Sequence, residues 1–384
     1  MPCGSRNGSG IDSAYGQGVG FTPPIRRSRK PPFCPRAECI SHSESAPWRY
    51  KKKGFYLRKT APRRIQRYLC SQCGRNFSSQ TFSTSYWLRR PELLRPVFLR
   101  ILSCSALRQI AQEYRVSHTT ILRLVERLGR HCLLVHEKLR PSIPRETLVL
   151  DGFRSFEFGQ YWPFDLNLVV GSSHYVYGFQ DAELPRSGSM RPAQRRKWLA
   201  LQAAHGRPDP RATERSVGEL LDRLVPPGAS LHLHSDRHPA YSRALKALGD
   251  REIEHRRTSS RVARTPQNPL FPVNLADLLL RHTGANHKRE TIAFSKRRQG
   301  ALYRAAIFTV WRNYLKSSSE RLRDAPPGVR VGAVTRRLRP EEVLGERLFV
   351  WQWGLGGWLE RCYFGRIRTR RLAGCRSHEL RYAI

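Results

Sequence analysis

The sequence predicts an α/β fold preceded by a small cysteine-bearing module and a helical block. Three observations carry that expectation. Two short thiol pairs, Cys34-x4-Cys39 and Cys70-x2-Cys73, flank a basic, aromatic stretch. Apolar residues at helical spacing then run from Pro91 to about Lys138. From Glu146 the period becomes that of strands, three in succession, before helix and strand alternate.

At 384 residues the chain has room for two or three domains. Lys and Arg total 69 against 30 Asp and Glu, a formal net charge of +39. Charge of that size repels itself unless a polyanion answers it, and implies salt-sensitive phosphate binding. Residues 1–30, rich in Gly, Ser, Pro and Arg, read as a disordered basic arm. They lack an apolar signal core, and no uninterrupted apolar run of about 18 residues occurs. The expected location is therefore cytoplasmic, with no membrane partner.

The cysteine module is expected over 31–78. Four thiolates paired in this way suit a tetrahedral Zn²⁺ with a structural role. Cys3, Cys104, Cys132, Cys362 and Cys375 are scattered, which fits a reducing compartment and a metal better than a disulfide framework. From Ala46 to Pro91 there is no Asp or Glu, while Lys51, Lys52, Lys53, Arg63 and Arg64 interleave with aromatics. A zinc ribbon with that surface points to nucleic acid.

The helical block, 91–138, opens on Pro91, a residue suited to the first helical position. Two amphipathic helices follow, 105–114 and 118–128, separated by a tight turn with Ser117 as N-cap. That is a helix-turn-helix pattern. Ala111, Val116, Ile121 and Val125 would fill its inner face. His118, Thr119, Thr120 and Arg123 would face the major groove of double-stranded DNA. A generic three-helix linker is the bland alternative.

Strands are expected at 147–153, 165–171, 175–180, 230–236 and 252–257, with a helix at 217–224 and helical segments at roughly 274–290 and 297–317. The basic stretch 185–215 carries no element. The order βββ-α-β-α-β-α over 146–317 is the ribonuclease H-like arrangement. Its first and fourth strands are neighbours, so Asp151 and Asp236, each at the end of an apolar run, would converge. Hard oxygen ligands of this kind hold Mg²⁺ or Mn²⁺. Two such ions about 4 Å apart serve phosphoryl transfer. Either Asp alone could be an ordinary turn acid. For a third acid, Asp277 at the start of its helix, with Arg281 one turn on, is preferred to Glu290, which Lys288 and Arg289 flank. His232, His234 and His238 read as structural rather than as zinc ligands. Residues 318–384 form a basic C-terminal extension, with TrpGlnTrp at 351–353.

Taken together, CysSerGlnCysGlyArgAsnPheSer, the helix-turn-helix, LeuValLeuAspGlyPhe, LeuHisSerAspArgHisProAlaTyr and LysArgGluThrIleAlaPheSerLysArg resemble bacterial insertion-sequence DDE transposases. The insertion-element-1-like group, with its N-terminal zinc ribbon, is the nearest kind. The resemblance spans about residues 30–317. It implies a DNA transposase that binds terminal inverted repeats and, as a homo-oligomer on DNA, cleaves and joins strands of repeat and target. It puts Asp151 and Asp236 on the family's first two acids and Arg281 on its arginine. The family's glutamate falls on Asn274, so Asp277 would take over that role. Two rivals remain open at this point: a non-catalytic DNA-binding protein (a regulator or a decayed transposase) and a nuclease on the same fold.

Overall fold

Strand-forming aromatics build the first sheet. Tyr50–Leu57 (β1) pairs antiparallel with Arg64–Cys70 (β2), and Asn76–Ser78 (β3) pairs with the other edge of β2. The structure, a computed structural model, describes residues 31, 33–42, 48–81, 83–259, 261–288, 290–319, 324–348, 350 and 354–372. The expected arm 1–30, Cys3, Cys375, Arg289 and the 351–353 motif lie outside the described residues. The register of β1 shifts between Lys52 and Phe55, where Gly54 takes φ +67. A left-handed residue in such a bulge favours glycine. Almost all of β1 is exposed, whereas β2 turns Ile65, Tyr68 and Cys70 inward. Phe33, Tyr68 and Phe77, backed by Trp48 and Tyr50, form a small core of their own around the cysteines.

A 3₁₀ turn at Pro91–Leu93 leads into Leu94–Ile101 (α1), followed by Leu107–Glu113 (α2) and His118–Leu139 (α3). Ser117 caps α3 as expected, its Oγ accepting the Thr120 N–H at 3.2 Å. The second helix runs beyond the expected end at 128, because the apolar stripe continues through Cys132 and Leu133–Val135, all buried. Ala111, Ile121 and Val125 are buried and Val116 packs beside them.

The second sheet has five strands: Leu148–Phe156 (β4), Pro163–Gly171 (β5), Val176–Glu183 (β6), Ser230–Ser235 (β7) and Glu252–Arg257 (β8). Their order is β6-β5-β4-β7-β8. β4, β5 and β6 form an antiparallel meander, while β7 and β8 run parallel to β4. β5 is buried along its whole length, which suits a strand covered on both faces. The basic stretch after β6 contains a helix that the sequence reading left out, Pro192–His205 (α4), and the start of Ala212–Leu224 (α5). α4 buries none of its residues, so it has no apolar stripe from which to be read.

Pro239–Lys246 (α6) packs on α5, and Phe271–Thr283 (α7) lies against β4 and β5. α7 stops at Thr283, short of the expected 290, with Gly284 as its C-cap. Arg298–Val310 (α8) is almost wholly buried and lies along α3. A Cβ at Gly129 would stand 2.3 Å from the Tyr303 Cβ, so glycine permits this close approach. The helical block and sheet share one apolar core.

Described residues from 327 to 367 are part of that core, not an appendage. Pro327–Arg330 (α9), Pro340–Gly345 (α10) and Gly357–Tyr363 (α11) follow α8. The His131 ring donates from Nε2 to the Val343 carbonyl at 2.7 Å. Buried Arg298 pairs with Asp181 at 2.8 Å and Glu183 at 2.8 Å, and donates to the Arg368 carbonyl. No described helix is long and apolar enough to cross a membrane.

Candidate carboxylate site and cysteine metal centre

Cys34 and Cys39 flank a tight turn ahead of β1, Cys70 ends β2 and Cys73 lies in the turn to β3. All four sulfurs lie within 4.8 Å of one another. The Cys34–Cys73 and Cys39–Cys70 separations are 3.6 and 3.9 Å. A tetrahedron with metal–sulfur bonds of about 2.3 Å has sulfurs about 3.8 Å apart, so the quartet fits one zinc-sized ion. Burial pushes the Cys34 and Cys39 thiols up. Burial also acts on Cys73, but the Arg75 backbone N–H and the neighbouring thiols outweigh it and hold this thiol low. The Ser41 N–H points at Cys39 Sγ (3.4 Å), a hydrogen bond that would steady a thiolate ligand. Four sulfurs converging at this spacing suit a resident metal. Lys51, Lys52, Lys53, Arg63 and Arg64 are all exposed on the adjoining sheet, and the Arg64 guanidinium lies 3.7 Å from the centre of the Phe55 ring.

The second site is built by the central sheet. Leu150 is in register with Ser235, so Asp151 on β4 and Asp236 just past β7 stand at matching positions on adjacent parallel strands. The Asp151 carboxylate accepts the Gly152 N–H at 2.7 Å. Asp236 accepts the His238 N–H at 2.8 Å, which turns the chain into α6. α7, packed across β4 and β5, brings up Asp277. This residue sits in the middle of its helix rather than at its start, because the helix begins at Phe271.

These carboxylates feel one another. Burial pushes Asp151 up to about 6, with the charges of Asp236 and Asp165 adding to the effect. Asp277 lies well above the usual carboxylate range, through burial and then Asp151, with Arg281 and Arg264 pulling the other way. Its Oδ1 is buried without a hydrogen-bond partner. A buried acid left in that condition wants a proton or a cation. Glu290, the other candidate, is exposed in a turn. Arg281 spans the site's edge, its guanidinium 4.3 Å from the Phe153 ring centre and donating to the His287 carbonyl at 3.2 Å. Among the described residues only the cysteines bring three or more ligand atoms all within 4.8 Å. The carboxylates are more widely spaced.

Sequence reasoning missed three members of this site. Asp165 on β5 pairs with Arg154 at 3.1 Å, yet burial still raises its carboxyl. The Tyr241 phenol is raised by burial and then by Asp151, Asp236, Asp165 and Asp277, so all four act on it. Arg264, exposed in the loop before α7, offsets charge on both Asp151 and Asp277. The signal for Asp165 was available: a charged residue inside the apolar run PheAspLeuAsnLeuValVal has no reason to be in a core strand. Gly152 explains how the group fits, since a Cβ there would meet the Asp165 carboxylate at 3.2 Å and the Tyr241 hydroxyl at 3.3 Å.

Of the three histidines, only His238 borders the site, its backbone N–H on Asp236 and its ring centre 5.2 Å from that of Tyr241. His232 pairs with Glu254 at 2.8 Å on the exposed face, and His238 caps α6 through the Ala240 N–H. In the helical block, His118, Thr119 and Arg123 are exposed and Thr120 is half-buried, its hydroxyl bonded to Ser117.

No family model and no curated protein matches the chain. Among solved structures it is similar to a simian T-cell lymphotropic virus intasome in complex with PP2A regulatory subunit B56 gamma, at 12% identity and a TM-score of 0.21. The match covers 66% of this chain and 76% of that one. At that score the likeness assigns neither fold nor function.

Proposed function

We propose that this chain is a DDE-type DNA transposase that binds terminal inverted repeats of double-stranded DNA and cleaves and joins strands. One observation carries the reading: Asp151, within β4, and Asp236, just past β7, stand at matching positions on adjacent parallel strands, with half-buried Asp277 brought up to Asp151 by α7. The strand order β6-β5-β4-β7-β8 is that of ribonuclease H-like folds, and supports it. So does the net charge of +39. In this reading the cysteine module is a zinc ribbon, and α2, the turn and α3 act as a helix-turn-helix.

Asp151, Asp236 and Asp277 would hold Mg²⁺ or Mn²⁺, and the orphaned Asp277 oxygen fits that role. Such ions, when bound, stabilise charge on the attacking and leaving oxygens of a phosphodiester. The protein's own residues do the rest. Tyr241 turns its hydroxyl toward Gly152, next to Asp151, Arg154 pairs with Asp165, and Arg264, exposed in the loop before α7, would be free to meet a backbone phosphate. Lys51–Lys53, Arg63 and Arg64 would grip phosphates without reading sequence, while His118, Thr119, Thr120 and Arg123 would read base edges.

The rival is a non-catalytic DNA-binding protein, and two observations favour it. Asn274 occupies the place where the resemblance expects a glutamate, and the carboxylates are not at ligand spacing. Strand chemistry on repeat-bearing DNA separates the two. Asp151→Asn and Asp236→Asn should abolish Mg²⁺-dependent cleavage and joining and leave DNA binding intact. A wild-type protein inert with both Mg²⁺ and Mn²⁺ would make the rival the correct reading.

A further inference from the structure

A groove of about 620 Å³ opens between the cysteine-stapled sheet and residues 86–89. Tyr56, Tyr86 and Trp87 supply its aromatic surface, and Arg67, Arg75 and Arg89 its charge. From the chemistry of this lining we infer that the groove binds single-stranded nucleic acid, stacking an unpaired base on Trp87 while the arginines hold the adjoining phosphates.

The charge comes first. Arg67, Arg75 and Arg89 are exposed, and no acidic residue lies between Ala46 and Pro91 to neutralise them locally. Arg58, also on the rim, is committed elsewhere: it donates to the Thr60 and Pro62 carbonyls at 3.0 and 3.1 Å and holds its own loop. The remaining three guanidiniums suit a polyanionic backbone, not a neutral ligand.

The aromatic surface then selects the form of the nucleic acid. Trp87 is 74% exposed, and its backbone takes φ +58, a region that bulky residues rarely occupy. The surroundings hold it there. Arg127 donates to the carbonyls of Thr84 and Tyr86 at 3.0 and 2.9 Å, and the Thr84 hydroxyl donates to Leu344 at 2.8 Å. An exposed indole, edge-on to Tyr86 at 6.1 Å and carried on a backbone held at a conformational cost, offers a face on which a ligand can stack. A duplex keeps its base faces stacked internally and offers only edges and phosphates, whereas a single strand presents flat π-faces. The inference is independent of the carboxylate site, since nothing in the groove needs strand chemistry.

The test is fluorescence anisotropy on the full chain, with short labelled oligothymidylate and a duplex of equal length. Trp87→Ala and Trp87→Gly should weaken oligothymidylate binding by roughly 5- to 150-fold, the range of one lost base–aromatic stack. Trp87→Phe should restore most of it, and duplex affinity should change by less than about twofold. The glycine variant relieves the positive φ, so a loss there belongs to the ring and not to the backbone. Arg75→Ala with Arg89→Ala should flatten the single-strand salt dependence by about 0.7 per lost contact. Zinc content of one ion per chain certifies each variant as folded in this module. Equal losses on duplex and single strand, or no loss at all, would overturn the proposal. So would thymidine monophosphate competing as tightly as the oligomer, which would make the groove a mononucleotide site.

Discussion

The cysteine quartet and the carboxylate group are two candidate metal sites assembled in opposite ways. The thiols come from short turns around one small sheet and already lie at ligand distance. The acids come from β4, β5, the end of β7 and α7, and they are held apart. The difference is electrostatic. A thiol can wait as a neutral, protonated group, so four of them can crowd together before a cation arrives. Carboxylates are charged at neutral pH, and the fold brings them near one another only by pushing Asp151 and Asp277 toward their protonated forms. In both places metal would replace protons, so affinity should rise with pH.

The largest expected effect breaks the first site. Cys70→Ser with Cys73→Ser should abolish zinc binding, from one ion per chain to none by elemental analysis. Structural zinc sites contribute on the order of 10 kcal/mol to the folding of small modules. The core here is only Phe33, Tyr68, Phe77 and their neighbours, too small to hold alone. Limited proteolysis should then cut residues 31–78 while the five-stranded core survives. Unchanged zinc content would remove the quartet from the comparison.

The second site is broken more selectively. Asp277→Asn should lower strand cleavage by about a thousandfold or more, as expected for loss of a ligand in two-metal chemistry, whereas Glu290→Gln should stay within severalfold of wild type. An active Asp277→Asn protein and an inert Glu290→Gln one would transfer the third position to Glu290.

A smaller effect sharpens the electrostatic contrast. With its folded-state carboxyl raised to about 6, Asp151 binds a proton more tightly in the folded than in the unfolded chain. Its contribution is therefore favourable at low pH and is lost as pH rises through 6. At about 1.4 kcal/mol per pH unit the penalty above pH 6 is roughly 3 kcal/mol. The buried histidines oppose this trend: His131 and His136, both lowered to about 4, lose stability as pH falls. The difference between wild type and Asp151→Asn isolates the aspartate. In chelator, the variant should be the more stable by roughly 3 kcal/mol at pH 7.5 and by little at pH 4.5, measured by denaturant unfolding. Equal stability at both values would mean that the acids do not burden the fold.

How much of this was legible in the sequence follows the same divide. Cysteine spacing announces its site, because ligands set in tight turns leave a local trace. The five strands were also legible, since apolar runs such as LeuValLeu and LeuHisLeuHis carry their period with them. Asp151 and Asp236 could be placed once the strand order was assumed. Asp165 leaves a trace, a charge inside an apolar run, but Tyr241 and Arg264 leave none, because their membership depends on register and loop path, which bring together residues far apart in the chain. α4 was invisible for another reason: a helix that buries nothing has no stripe. The C-terminal residues read as an extension because their basic, arginine-rich composition hides the apolar anchors, among them Val343, Trp358, Leu359 and Tyr363, that join the core.

The smallest expected effects lie on the surfaces proposed to face DNA, where the comparison extends from metal to polyanion. Lys51, Lys52 and Lys53 lie on an exposed strand beside the cysteine site, and none is ion-paired among the described residues. Replacing all three with alanine should weaken binding to every duplex alike. It should also reduce the salt slope by about 0.9 per lost phosphate contact. Arg123 is different, since it projects from the first turns of α3, a helix fixed at its start by the Ser117 cap. A side chain on a rigid element can read a base edge, so Arg123→Ala should cost about 1–3 kcal/mol on the preferred sequence and little elsewhere. Competition titrations with specific and scrambled duplexes at two salt concentrations distinguish the two behaviours. If Arg123→Ala lowers affinity uniformly, as the lysine variant does, α3 grips DNA without reading it, and sequence choice must be sought on another surface.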